Sequence, residues 1–80
     1  MKRLSLYGIA VAFGHYLACE HKGTESDVVL YRIMVDVLAF VAGWLDCTEY
    51  QREKAIKMMD SKCIQQLANI KRSEDASTTS

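Results

Sequence analysis

Three cysteines and two histidines are the residues of this chain that could bind a metal ion or act in catalysis. His15 and Cys19 are four positions apart, so they would share one face of a helix, and His21 lies nearby. A tetrahedral structural zinc site needs four ligands, so Cys47 and Cys63 would have to converge on them from other elements. The cysteine number is odd and no CxxC spacing occurs, so we expect reduced thiols packed as small apolar groups, without a metal or cofactor.

Catalytic motifs do not occur in these 80 residues. The chain has no glycine-rich phosphate loop, no HExxH and no GxSxG sequence, and those are the patterns that gather reactive groups in common enzyme classes. A single domain of this size also offers little room for a deep pocket. The sequence therefore predicts a protein that is not an enzyme and has no catalytic residues.

Charge is balanced over the whole chain but uneven along it. Ten basic and ten acidic side chains cancel, yet residues 52–72 hold six basic and two acidic ones. One interpretation of the basic side chains is a solvated face that keeps the protein soluble. The other is a patch that faces a partner, formed by Arg52, Lys54, Lys57 and Lys62. A nucleic-acid regulator would use such a patch on phosphates. The patch lacks interleaved aromatic residues for base stacking, so nucleic acid is the second alternative.

Helical spacing and capping residues divide the chain into three elements. There is no proline, and apolar residues recur at steps of three and four, which predicts helices over about 4–22, 27–46 and 49–71. Gly23 would end the first helix, Thr24 with Asp27 would cap the second, and Thr48 with Gln51 would cap the third. Residues 1–72 then form one domain, and residues 73–80 are predicted to be disordered.

Two local alternatives remain open from the sequence. Large residues alternate with small ones from Tyr7 to Gly14, a pattern that also suits a strand, although no other segment could pair with it. Asp60 and Ser61 favour helix caps, so they could divide the third helix into two shorter ones.

The second helix is apolar around most of its circumference, because residues 28–45 contain only the charges of Arg32 and Asp36. An ordinary surface helix has one apolar stripe, so this helix is predicted to be the central element, contacted from two or more sides. Its core and dimer-seam residues are predicted to be Leu30, Met34, Val37, Val41, Trp44, Tyr31, Val35, Leu38, Phe40 and Leu45.

Arg32 and Asp36 lie four positions apart on that helix and can pair. One interpretation is a solvated pair that marks the outside of the helix. The other is a register pair that sets the alignment of two helices at an interface. The sequence supports both.

The first segment also has features of a membrane-directed one. Met1–Arg3 precede the mainly apolar run 4–19, as in a signal peptide, but His15 and two tyrosines dilute that run. It is also shorter than the ~20 residues that span a bilayer. Gly8, Ala10, Ala12 and Gly14 have the spacing that permits close helix approach, in a membrane or against a large neighbour such as Phe40 or Trp44. We expect a cytoplasmic protein, with attachment to a membrane surface as the first alternative.

The small size, weak motif content and odd cysteine number resemble, in a general way, the small accessory proteins of phages and plasmids. That resemblance covers no specific motif, and it implies binding to a host protein. The predicted fold is all-α, a three-helix antiparallel bundle completed by homodimerisation, because so small a domain gains from burying extra apolar groups. The predicted function is a non-enzymatic protein-binding module, an adaptor or inhibitor that occludes the surface of an unidentified protein partner.

Overall fold

Three α-helices in up–down–up order make up the fold. A computed structural model describes residues 5–78 of the chain, and side-chain surroundings for residues 5–74. The helices are α1 (Leu6–Cys19), α2 (Glu25–Trp44) and α3 (Glu49–Thr78), and no strand occurs among the described residues. The prediction of an all-α, three-helix bundle is confirmed, and the strand alternative for the first segment is wrong. The predicted helix start at residue 4 and the basic Met1–Arg3 end lie outside the described residues.

The connection between α1 and α2 differs from the predicted glycine cap. Helix α1 begins after Ser5, whose Oγ accepts the Gly8 N–H at 3.0 Å, and it ends at Cys19 instead of continuing to residue 22. Gly23 lies in the loop with φ of 68°, in the left-handed region that favours glycine. The helix stops early because the N–H groups of this loop turn toward the Asp27 carboxylate at the start of α2.

The connection between α2 and α3 is closed by hydrogen bonds on both sides. The Cys47 N–H donates to the Ala42 carbonyl oxygen at 2.8 Å and the Asp46 N–H to that of Gly43 at 3.1 Å, with Asp46 at φ of 58°. These two bonds satisfy carbonyl groups that a helix end leaves open. At the start of α3, the Gln51 N–H donates to Thr48 Oγ1 and the Thr48 N–H to Gln51 Oε1. The predicted capping box is therefore present.

Helix α3 is longer and more regular than the sequence suggested. It continues without a break through Asp60 and Ser61, so the division considered there does not occur. It also extends to Thr78, so the predicted disordered tail 73–80 is helical as far as that residue, and residues 79–80 lie outside the described part. The extension contains neither glycine nor proline and includes the good helix formers Arg72 and Glu74.

Helices α1 and α3 run parallel and approach each other closely. Ala10 and Gly14 are buried on the contact face of α1. A methyl group added at Gly14 would overlap the carbonyl oxygen of Met59 and lie 2.8 Å from Cβ of Lys62. The small residues of α1 therefore admit the backbone of α3. The expectation that they would face Phe40 or Trp44 is wrong for this pair.

Helix α2 packs antiparallel to the other two helices, through one face. Met34, Leu38 and Ala42 are its buried residues, and they join Ala55 and Met59 of α3 in the core. The prediction that this helix is the central element is wrong, because the α1–α3 contact is the closest one and α2 covers it from one side. Two helices can bury only part of an all-round apolar helix, so the remaining apolar surface of α2 is left exposed.

Candidate protein-interaction surfaces

The thiols and imidazoles lie apart from one another in the fold. Cys19 is exposed, while Cys47 and Cys63 are half-buried, and all three are free thiols. Within the described residues, no three His, Cys, Asp or Glu side chains gather in a way that could hold a metal ion. His21 contacts Asp27, with its Nδ1 3.1 Å from Oδ2. The half-site that His15 and Cys19 could form is therefore not completed by Cys47, Cys63 or His21.

Asp27 organises the polar end of the molecule. Its carboxylate accepts the N–H of Gly23 at 2.7 Å and those of Lys22 and Thr24 at 3.2 Å. Partial desolvation raises its pKa, but these N–H groups and the neighbouring His21 outweigh that effect, so the pKa of Asp27 lies below its ordinary value. This carboxylate already has hydrogen-bond partners as the cap of α2. No bound ligand is needed to explain why a charged group lies there.

Tyr31 and Cys63 face Asp60 between α2 and α3. Burial, and then the Asp60 carboxylate, raises the pKa of the Tyr31 hydroxyl. Burial and the charges of Asp60 and Asp27 likewise raise the pKa of the Cys63 thiol. A thiol held protonated is a poor nucleophile and a poor metal ligand. The environment of Cys63 thus suits packing, as the sequence predicted. For Cys19, which is exposed, the prediction of a packed thiol is wrong.

A row of apolar side chains, here called the outer face of α2, points away from the core. At 100° per residue its members fall within roughly 80° of arc, and the core residues of α2 lie on the opposite side. Two of them are large aromatic residues that are three-quarters exposed, Phe40 at 74% and Trp44 at 78%. The other members are aliphatic and between 38% and 56% exposed, and the outer face consists of Val29, Ile33, Val37, Phe40 and Trp44.

The ten predicted seam residues therefore divide between two sides of α2. Met34 and Leu38 are buried in the core, and four others pack partly buried against it, namely Leu30, Tyr31, Val35 and Val41. The remaining four are exposed: Val37, Phe40 and Trp44 on the outer face, and Leu45 directly after the end of α2. Val29 and Ile33 were missed. Their signal was a series of helical steps of four, four, three and four from residue 29 to 44, of which the predicted seam included only Val37, Phe40 and Trp44.

Arg32 and Asp36 are both exposed and lie along one flank of the outer face. Within the described residues no ion pair joins them, so the predicted pairing does not form within one copy. The two charges border the exposed apolar row, which is where a register pair at an interface would lie.

A groove, here called the end groove, adjoins the outer face near the start of α2. It encloses about 320 Å³ between the end of α1 and the first turns of α2. Its apolar wall comes from Tyr16, which is 50% exposed, together with Val29, Leu30 and Ile33. The end groove thus extends the outer face onto a second helix.

A second groove, here called the lysine groove, lies between α1 and α3 on the side away from α2. Val11 and Met58 line it with Lys54, Lys57 and Lys62, and it also encloses about 320 Å³. Lys54 Nζ lies 5.6 Å from the centre of the Tyr7 ring, and no ion pair within the described residues involves the three lysines. Three residues of the predicted basic patch therefore lie together at one groove.

Arg52 is the member of the predicted basic patch that lies elsewhere. Its Nη2 approaches Glu49 Oε1 at 3.5 Å, and it lines a different surface depression, with Ala39 and Gly43. The reason is helical position, since Arg52 is on the flank of α3 that meets α2. The basic residues at the lysine groove are therefore Lys54, Lys57 and Lys62.

Comparison with known proteins adds no family. No protein-family model, curated protein or solved structure matches this chain. Within the described residues, none of the helices combines the length and apolarity that crossing a bilayer requires. The functional argument therefore depends on the surfaces described above.

Proposed function

We propose that this protein is a non-enzymatic protein-binding module that forms a homodimer through the outer face of α2. The exposure of Phe40 and Trp44 is the observation that carries the proposal. Monomeric proteins seldom expose large contiguous apolar patches unless these are used for binding. Aromatic residues with apolar neighbours are also typical of interaction hot spots.

The amount of apolar surface suits a protein partner. Phe and Trp side chains carry ~150–250 Å² each, so the outer face as a whole offers on the order of 500 Å². Each partner of a standard interface buries about 800 Å², an area that the outer face approaches when Tyr16 and the charged flank are included. A second copy supplies a surface of the same size and character.

Besides a second copy of itself, the module is proposed to bind a different protein, which docks in the lysine groove. A dimer that uses α2 leaves this groove free, because the described residues that line it belong to α1 and α3. Three lysines without an ion-pair partner among the described residues surround an apolar floor. Such a groove complements an acidic segment with apolar anchors. The module would then act as an adaptor or inhibitor by occluding that segment. A cytoplasmic location fits its three free thiols.

Sedimentation equilibrium over a range of protein concentrations tests the proposal. The wild-type chain is expected to be dimeric, and the double variant Phe40→Ser/Trp44→Ser monomeric, since removing a hot-spot side chain costs about 2 kcal/mol, or roughly 30-fold in affinity. The matched control is Val28→Ser/Ile64→Ser, which removes two exposed aliphatic residues outside the outer face, at 61% and 68% exposure. A wild-type monomer at millimolar concentration would contradict the homodimer.

The same apolar row favours one second candidate, a protein that lies on a membrane surface. An interfacial helix usually has a basic flank beside its apolar face, whereas the outer face is flanked by Arg32 and Asp36, whose charges cancel. Flotation with vesicles of phosphatidylcholine and phosphatidylglycerol decides between the two. Binding that Phe40→Ser/Trp44→Ser abolishes, in a chain that does not dimerise, would establish the membrane function instead.

A nucleic-acid regulator remains the weakest of the functions that the sequence suggested. It would have to use the lysine groove, where Lys54 already stacks on Tyr7. Binding to random DNA that falls steeply with salt and is lost in Lys57→Glu/Lys62→Glu would support it.

A further inference from the structure

The residues of the outer face of α2 have almost the same spacing whether they are followed from its start or from its end. Its steps from Val29 to Trp44 are four, four, three and four residues, so the reversed series differs only in the position of the three. When two copies of such a helix lie antiparallel, Val29 meets Trp44 of the other copy and Ile33 meets Phe40. Every large side chain of the row then faces an apolar residue, as a two-fold symmetric interface requires.

The two ends of the outer face differ in shape, and the difference favours the antiparallel arrangement. The bulkiest and most exposed side chain, Trp44, is at the end of α2, while the end groove lies at the start. Antiparallel pairing places each indole over the end groove of the other copy. Parallel pairing would set the two indoles against each other and leave both grooves empty, which forfeits packing contacts.

The charged flank supports the same arrangement. In an antiparallel pair related by a two-fold axis, the same flanks of the two helices meet. The two Asp36 side chains then lie near the axis, and Arg32 of each copy, about 7.5 Å further along the helix, can extend toward the Asp36 of the other and offset their repulsion. In a parallel pair opposite flanks meet, and both charges would lie against the apolar flank that contains Val37. Burying unpaired charge against apolar groups is unfavourable, so the charges disfavour the parallel pair.

We propose that two copies of this chain pair antiparallel along α2, with Trp44 of each copy seated in the end groove of the other, against Tyr16, Val29 and Ile33. This inference rests on the proposed homodimer and adds its direction, its register and its anchor residue. Tyr16, a residue of α1, then belongs to the interface, although α2 supplies most of the interface residues.

Trp44 is the only tryptophan of the chain, so its fluorescence reports directly on the proposed anchor. As concentration rises through the dissociation constant, its emission is expected to move to shorter wavelength and acrylamide quenching to fall at least threefold. Tyr16→Ser, which opens the end groove, is expected to weaken the dimer at least tenfold and to return the emission to longer wavelength. Val28→Ser, an exposed site outside the interface, should change neither. An indole that stays solvent-exposed in a wild-type dimer overturns the anchor.

Disulfide trapping tests direction and register. Single variants Ile33→Cys and Phe40→Cys are made in a background with Cys19→Ser, Cys47→Ala and Cys63→Ala, which is used if it dimerises as the wild type does. Mixing the two variants is expected to give the 33–40 disulfide. Each variant alone should give little, whereas a parallel pair would give 33–33 and 40–40 disulfides and overturn the inference. If the background does not dimerise, the fluorescence of the native chain and Tyr16→Ser decides.

Failure of the inference and failure of the proposed function give different results. A wild-type chain that sediments as a monomer contradicts both. The other case is a wild-type dimer that the Phe40→Ser/Trp44→Ser substitutions dissociate. If that dimer forms the 33–33 disulfide, or if its Trp44 stays exposed to solvent, only the antiparallel arrangement is contradicted.

Discussion

Asp27 shows how a single residue joins two elements. Its carboxylate accepts three successive backbone N–H groups and contacts His21, so the end of one helix and the start of the next are held by one side chain. Hydrogen bonds to a charged acceptor are stronger than neutral ones. The loop therefore depends on the ionised form of this carboxylate.

The lowered pKa of Asp27 makes stability depend on pH in a stated direction. Because the folded-state pKa lies below the unfolded value, this contribution is complete above about pH 5 and is lost as pH falls through the folded-state pKa. Asp27→Asn should be less stable than the wild type at pH 7, and the difference should shrink toward zero below about pH 4. Urea unfolding at several pH values measures it.

Glu53→Gln is the control for that experiment, because Glu53 is exposed on α3, away from the outer face of α2. The free energy of unfolding of this control, plotted against pH, should run nearly parallel to that of the wild type. An Asp27→Asn difference that stays constant from pH 7 to pH 3 would show that the cap does not require the charge.

At the scale of elements, the closest contact in the molecule depends on a missing side chain. Gly14 brings α1 against the backbone of α3 near Met59, whereas at Gly43 in α2 an added methyl group would have no neighbouring atom within 4 Å. Both glycines lie in helices, where glycine costs roughly 0.5–1 kcal/mol relative to alanine. The same substitution should therefore have opposite effects at the two positions.

Gly14→Ala and Gly43→Ala form a matched pair. Gly43→Ala is expected to raise the free energy of unfolding by about 0.5–1 kcal/mol through helix propensity. Gly14→Ala should lower it by about 1–3 kcal/mol, because the added methyl group forces α1 away from α3. Denaturant unfolding of both variants measures the difference. Equal changes at the two sites would contradict the close approach of α1 and α3.

At the scale of the whole molecule, the fold is elongated and incompletely covered. Its extents are 50 × 31 × 22 Å and its radius of gyration is 14.5 Å, against about 12 Å for a compact chain of this length. Helix α3 is more than twice as long as α1, so its ends extend past the core. Such a shape leaves α2 covered on one side, so the proposed association would add to its stability.

Coupling between association and folding predicts a concentration-dependent melting temperature. Because the proposed dimer would stabilise the folded state by mass action, the midpoint should rise on the order of 4 °C for each tenfold increase in protein concentration. Phe40→Ser/Trp44→Ser should melt at the same temperature at every concentration. Calorimetry from micromolar to millimolar protein provides the measurement, and a constant wild-type midpoint would separate folding from association.

Local features of this fold were predictable from sequence. The number and order of the helices follow from apolar steps of three and four residues, and the cap at Thr48 follows from side chains that bond their own backbone neighbours. These interactions act over a few positions, so residue order is enough to reveal them. The predicted helix ends near Gly23 and residue 71 were less accurate. Near Gly23 the hydrogen bonds to Asp27 end α1 early, and after residue 71 a continuing run of helix formers extends α3.

Tertiary structure alone decided which apolar residues are buried. Leu38 and Phe40 belong to one apolar helix, yet Leu38 is fully buried and Phe40 is 74% exposed. Hydrophobicity has no direction, so a helix that is apolar all round does not specify which side faces its neighbours. The close approach at Gly14 determines how α1 and α3 meet, and that contact determines which side of α2 can be covered. The sequence by itself determined that α2 would have surplus apolar surface, and the packing of the other two helices decided that the surplus is its outer face.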